Sequence, residues 1–244
     1  MTVYIVDTEC TSLDEPEVIE LAWARLPVAK HLAGRSDEIV VPLLDQAEMF
    51  EKRYQPEKPS TFGAMAIHHI LPRELEGCPP AAEALMPYDC EYMIAHNADH
   101  DWKCLGAPEG VKRICTHAMA QWLWPDADSY SQSALLYMLL GPTPETRELL
   151  KDAHGARVDV LNNARLLEAI LEAKPEITTW SQLYAYSEQC RIPRTMPIGE
   201  RQGVKGLTLA EAVEMDPGFV QWCLNQPWLD PYLAEGLRQA VAEG

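Results

Sequence analysis

Basic residues are scarce in this chain: 20 Lys and Arg stand against 37 Asp and Glu, a formal net charge of −17. Proteins that hold long nucleic acid by counterion release are basic on at least one face, so this balance argues against tight, extended binding of that kind. Long apolar runs are also missing. No stretch approaches the roughly 20 residues of a membrane-crossing helix, and the opening run, Val3 to Val6, is too short for a signal peptide and lacks a basic stretch before it. The expectation is a soluble, cytoplasmic protein without a membrane partner. Paired cysteines are absent too. The seven cysteines are scattered, odd in number and never form CxxC, which excludes a disulfide framework or zinc ribbon and leaves reduced, small apolar residues as the expectation. No internal repeats or low-complexity tracts occur.

What is present is enough apolar material for a sizeable core, 47% of 244 residues, in one ordinary domain plus a small appendage. Val3 to Val6 reads as a buried central strand that stops at Asp7. Glu17 to Leu26 reads as a second strand, although its Ala and Leu content also permits a helix, and Glu38 to Pro42 reads as a third strand, halted by proline. Glu51 to Ser60 is polar and proline-punctuated and reads as a long surface loop. A short helix is expected within Thr61 to Ile70, and another at Pro79 to Leu85, where prolines precede an alanine-rich run. Tyr92 to Ala95 is an apolar strand ending in a polar cluster, with a helix following through Leu105. Lys112 to Thr116 is a further strand. His117 to Trp124, Ser131 to Leu140 and a long amphipathic stretch, Asp152 to Ala173, read as helices. Beyond Ile192 prolines and glycines become frequent, and two short helices are expected at Leu207 to Val213 and Pro217 to Leu224. Strands early, helices interleaved and acids at strand ends point to an α/β domain with a mixed sheet. The divisions expected are residues 1–178, a helix or linker at 179–192, and a small C-terminal helical and loop module at 193–244. The module's Phe219, Trp222, Trp228 and Tyr232 read as its core rather than as a stacking surface.

Three acidic clusters carry chemistry. Asp7 and Glu9 lie two apart at the end of the first strand, where the period of two points both to one side, within reach of one hard cation. Alone, an Asp-x-Glu in so acidic a chain arises by chance. Asp101 opens a helix, where an acid also simply complements the helix dipole. His154 and Asp159, five apart near the long helix, join an imidazole to a carboxylate, the combination that water activation beside a metal requires.

Taken in order and with their flanks, these clusters resemble the three motifs of the DEDDh (DnaQ-like) exonuclease family. Asp7-Thr8-Glu9 is the first, Ala95-His96-Asn97-Ala98-Asp99-His100-Asp101 the second, and His154-Gly155-Ala156-Arg157-Val158-Asp159 the third. Ala64 to Ile70 resembles the family's Ile-His-x-Ile loop, and Gly199 to Phe219 resembles the C-terminal module of one DNA-directed branch. The resemblance implies a ribonuclease H-like fold and two-metal hydrolysis at nucleic-acid 3′ ends, of DNA in preference, single-stranded or at duplex ends, releasing nucleoside 5′-monophosphates. It implies two Mg²⁺ ions, with Mn²⁺ as a substitute. Asp7 would bridge them, Glu9 and Asp159 would complete one site, Asp101 would support the other, and His154 would deprotonate the attacking water. Thr8, Thr11, Ile67, His68 and Asn97 would contact the terminal nucleotide, though Thr11 equally suits a turn and Ile67 and His68 equally suit loop packing. Ser12 stands where the family commonly has glycine, and His100 where an aromatic is frequent. Lys103, Lys112, Arg113 and Arg157 are the candidates for a local basic patch, with scattered surface charges the safer expectation. Two other readings remain open from sequence: an exoribonuclease trimming short RNA ends, and an inactive binding module on a nuclease fold.

Overall fold

The computed structural model describes residues 1–27, 38–39 and 49–243. The sheet begins with β1 (Val3–Cys10), whose side chains are buried except at Asp7 and Glu9. β2 (Val18–Leu26) runs antiparallel to it in a register that sets Asp7 opposite Ala22 and Glu9 opposite Glu20; a bulge then pairs Cys10 with Val18. A bulge turns the strand locally and re-aims its side chains, and this one lies beside the acidic pair. β3 (Phe50–Arg53) adds antiparallel to β2. β4 (Tyr92–Ala95) pairs parallel with β1, and β5 (Lys112–Cys115) parallel with β4. The order is β3-β2-β1-β4-β5. β4 is buried at all four positions, as an interior parallel strand must be.

Ten α-helices accompany the sheet among the described residues. They are α1 (Phe62–His68), α2 (Ala98–Cys104), α3 (Thr116–Leu123), α4 (Gln132–Leu140), α5 (Pro144–Leu150), α6 (Ala156–Ala173), α7 (Trp180–Arg191), α8 (Leu209–Met215), α9 (Pro217–Leu224) and α10 (Pro231–Glu243). α6 lies across β1 and β2, with α3 and α4 packed against it, while α2 packs on β1, β4 and β5. Val160, Leu166, Leu167 and Ile170 of α6 are buried at helical spacing. Each such side chain contributes about 1.5–3 kcal/mol of burial. This arrangement brings the ends of β1, α2 and α6 together.

The structure corrects several expectations. The first strand does not stop at Asp7 but runs to Cys10, so both acids lie within it, and α2 begins at Ala98, which makes Asp101 its fourth residue rather than its first. Phe50–Arg53 is an edge strand rather than the start of a loop; its alternation is too polar to announce a strand, and the β2 ladder supplies the order. Pro79 to Leu85 forms only a single 3₁₀ turn at Ala81–Glu83. Its backbone is committed elsewhere: Gln55 donates to the Pro79 carbonyl at 2.7 Å and Ala81 donates to the Gln55 carbonyl at 2.9 Å. The long helix starts at Ala156, not Asp152, because His154 takes a left-handed φ of 73° and Gly155 is extended at the N-cap. Of the strand expected at Glu38 to Pro42, Glu38 forms an isolated bridge to Thr179; residues 40–42 lie outside the described residues.

The chain divides into two compact units, Met1–Ser187 and Glu188–Gly244. The second has its own core of Val204, Ala212, Val220, Cys223, Leu233 and Leu237. Asp216 and Thr208 cap its helices, and Thr208 with Glu211 completes a capping box. The reading of its aromatics as core is corrected in part. Phe219 is partly buried and stacks on Trp222 with ring centres 5.7 Å apart, yet Trp222 and Trp228 stay half-exposed.

Candidate active site

β1 places its acids where the sheet needs no more apolar cover. Asp7 and Glu9 point to one face, and Ala22 opposite Asp7 leaves room beside it. α6 brings Asp159 onto the same face, so that carboxylate oxygens of Asp7, Glu9 and Asp159 lie within 4.8 Å of one another. Asp101, buried in α2, joins the group through the residue between the two strand acids. The Thr8 amide donates to its Oδ1 at 3.0 Å and the Thr8 hydroxyl donates to the same atom at 2.8 Å.

Four carboxyls so close resist ionisation together. Burial, followed by the charges of Asp159, Asp101, Glu9 and Glu20, raises Asp7 well above the usual carboxylate range. Burial and then Asp159 push Glu9 up to about 9. Burial carries Asp101 to about 7 against the opposing Thr8 hydrogen bonds. Asp159 is also raised by burial, with His154 pulling the other way. The repulsion among these oxygen donors is relieved by protons or by a hard divalent cation, and oxygen donors of this kind suit the cation.

His154 stands beside Asp159. Its amide donates to Asp159 Oδ2 at 3.2 Å, and its side chain is exposed. The φ of 73° is uncommon for a residue with a side chain, and such strain concentrates at functional sites. Asn97, also left-handed at φ 76°, opens α2.

Next to the acids is a cleft of about 560 Å³ lined by Thr8, Glu9, Leu13, Ile67, His68 and His100 among others. Ile67 is half-exposed on its wall. His68 is buried, its Nδ1 accepts from the Ile70 amide at 2.9 Å, and its Nε2 has no hydrogen-bond partner. Thr11 is not on that wall: it is buried in the β1–β2 turn, where its hydroxyl oxygen accepts from the Glu17 amide at 3.1 Å. Asn97 is exposed and does not line the cleft either. Three of the candidate patch cations are already engaged. Arg113 pairs with Asp99 and lies over Trp102, Lys112 lies over Tyr92, and Arg157 pairs with Glu51 at 3.4 Å.

Two residues escaped sequence reasoning. Glu20, only 3% exposed, accepts from Arg53 Nε at 2.8 Å and from the Ala156 amide at 3.0 Å, tying β2 and β3 to the first turn of α6. A lone acid inside the apolar run of β2 was its signal. His96 joins Thr116 Oγ1 at 3.0 Å and donates from Nε2 to the Tyr130 carbonyl at 2.7 Å, while Thr116 donates to Asn163 of α6. The motif histidine thus fastens the end of β4 to α3 and α6.

No family model matches the chain. Exodeoxyribonuclease 10 of Escherichia coli strain K12 is 30% identical over 173 residues, which cover 70% of this chain and 74% of that protein. The chain belongs to the exodeoxyribonuclease X family. The same protein from E. coli O6:H1 matches to the same extent. Among solved structures, exonuclease X in complex with 5′-overhanging duplex DNA covers 76% of this chain and 99% of its own, at a TM-score of 0.55 and 28% identity. A zinc-bound complex of E. coli exonuclease I with single-stranded DNA shares the fold at a TM-score of 0.51 and 14% identity, over 76% of this chain and 42% of that one. The mixed sheet is therefore the ribonuclease H-like sheet of this exodeoxyribonuclease X family member, and the three carboxylates of Asp7, Glu9 and Asp159 stand on it at metal-ligand spacing.

Proposed function

We propose that the chain is a Mg²⁺-dependent 3′→5′ exonuclease that hydrolyses the terminal phosphodiester bond of DNA and releases nucleoside 5′-monophosphates. The observation that carries this reading is the convergence of Asp7, Glu9 and Asp159 within 4.8 Å, with Asp101 held beside them by Thr8. DNA as substrate is supported by the names of the relatives, an exodeoxyribonuclease and an exonuclease X bound to duplex DNA. All five motif residues fall in the first compact unit, to which catalysis is assigned.

The donor set fits hard divalent cations: carboxylate oxygens alone, mutually repelling and partly buried. Asp7, Glu9 and Asp159 would hold one ion, and Asp7 with Asp101 a second, with Mn²⁺ able to replace Mg²⁺. When bound, such a pair stabilises the charge on the attacking and leaving oxygens. The chain's own groups do the rest. Thr8 takes Asp101 Oδ1 and so fixes the carboxylate's rotation. His154, exposed and anchored through its amide to Asp159, accepts the proton of the attacking water on its imidazole. Ile67 and Leu13 supply apolar wall to the cleft for the terminal nucleoside, and His68 Nε2 supplies a polar atom there without a competing partner.

The test is turnover of an oligonucleotide with Mg²⁺, with EDTA, and with the Asp7→Ala and Asp159→Ala variants. Cleavage is expected only for the unmodified protein with Mg²⁺. Substantial metal-dependent cleavage by either variant, folded as judged by circular dichroism, refutes the assignment.

A further inference from the structure

A second group of ligating atoms lies one residue beyond Glu9. Cys10, at the bulged end of β1 and 8% exposed, has its Sγ 3.1 Å from Cys104 Sγ. Cys104 Sγ is in turn 3.5 Å from His100 Nε2, and all three ligand atoms lie within 4.8 Å. His100 and Cys104 are four apart on α2, so one helix face presents both. Cys10 and His100 also line the cleft that reaches Glu9, which leaves a side open for a fourth, exogenous ligand.

The geometry points to a separate binding site for a thiophilic divalent cation of the zinc class, held by Cys10, His100 and Cys104. Two thiolates and an imidazole are the donors that select such a cation, whereas the carboxylates of Asp7, Glu9 and Asp159 select hard ones. Zn–S bonds of about 2.3 Å and Zn–N bonds of about 2.0–2.1 Å in a tetrahedron set ligand atoms roughly 3.5–3.8 Å apart. The Cys104–His100 separation of 3.5 Å already has that value, the two sulfurs must open from 3.1 Å by about 0.7 Å, and Cys10 Sγ lies within 4.8 Å of the imidazole nitrogen. A cysteine pair poised for a disulfide alone would need no third donor; the imidazole on the same sulfur distinguishes the cation site. Occupancy would tie the end of β1, which carries Thr8 and Glu9, to the helix that carries Asp101. The inference stands apart from the hydrolysis reading, because it concerns different atoms and is tested without turnover.

The probe is Co²⁺, a spectroscopic stand-in for Zn²⁺, added to the full chain kept reduced and freed of metal. One Co²⁺ per chain is expected to give a thiolate-to-metal charge-transfer absorption that Zn²⁺ displaces. The band should persist in the Asp7→Asn/Asp159→Asn double variant, disappear in Cys104→Ser, and weaken at least tenfold in affinity in His100→Phe, which keeps both thiols and serves if Cys104→Ser fails to fold. An absent band overturns the proposal. So does a band that survives unchanged in His100→Phe, or a pair of thiols that is lost to a disulfide under reducing conditions with no uptake of cation.

Discussion

At the scale of single residues the account rests on charge held where charge is costly. Glu9 near 9 and Asp101 near 7 bind protons in the native state that the unfolded chain has already released. The native state therefore loses stability as pH rises through those values, since the unfolded form binds fewer protons there. His96, lowered to about 4 by burial, acts in the opposite sense but only below its ordinary value near 6.5. Melting temperature in EDTA should accordingly fall between about pH 7 and pH 9, and Mg²⁺ should restore more of it at pH 9 than at pH 7, because a cation binds the ionised cluster. A melting temperature that is flat or rising over that interval contradicts the clustered ionisation. His154 supplies the second expectation at this scale. His154→Ala should slow hydrolysis by about 10²–10⁴, the ordinary contribution of a general base, with melting temperature nearly unchanged; a near-wild-type rate removes it from the reaction. Glu20 was hidden from sequence reasoning because its partners, Arg53 and the Ala156 amide, are 33 and 136 residues away.

At the scale of elements, legibility followed apolar pattern. β4 is a continuous apolar run, and β1 and β2 are mostly apolar, so all three were readable, although β1 runs past its expected stop at Asp7 to Cys10. α3 was readable within a residue of its ends, whereas α2 begins three residues before Asp101. β3 was not, since three of the four residues of Phe50–Arg53 are charged and it becomes a strand only because β2 offers a ladder. The turn at Ala81 was misread as a helix because alanine content says nothing of a backbone already paired with Gln55. Acid positions at strand ends were legible from residue type and spacing. The strain at His154 was not, because nothing local asks for a left-handed residue; α6 begins where the site needs it. Packing in the second unit offers a test of the same logic. A Cβ on Gly236 of α10 would lie 2.6 Å from both Ile192 Cγ2 and Leu209 Cδ1. Gly236→Ala should cost about 1–3 kcal/mol, read by denaturant unfolding, despite alanine's better helix propensity. A neutral or stabilising result would show that α10 can move away from Leu209.

At the scale of the whole molecule, acidity and function are reconciled by where the grip lies. A chain of net charge −17 is poorly made to hold a long phosphate backbone, and three of its candidate cations, Lys112, Arg113 and Arg157, are already paired or stacked. On the proposed function, the oxygen donors of β1, α2 and α6 would instead concentrate recognition at one phosphate near a strand end. The most direct measurement of that claim follows a DNA strand labelled at its 5′ end, digested with Mg²⁺ and resolved by length over time. The account predicts a descending ladder of labelled products that shortens from the 3′ end, and no products when EDTA replaces Mg²⁺. Immediate release of labelled mononucleotide, internal cuts, or undiminished cleavage in EDTA would contradict it.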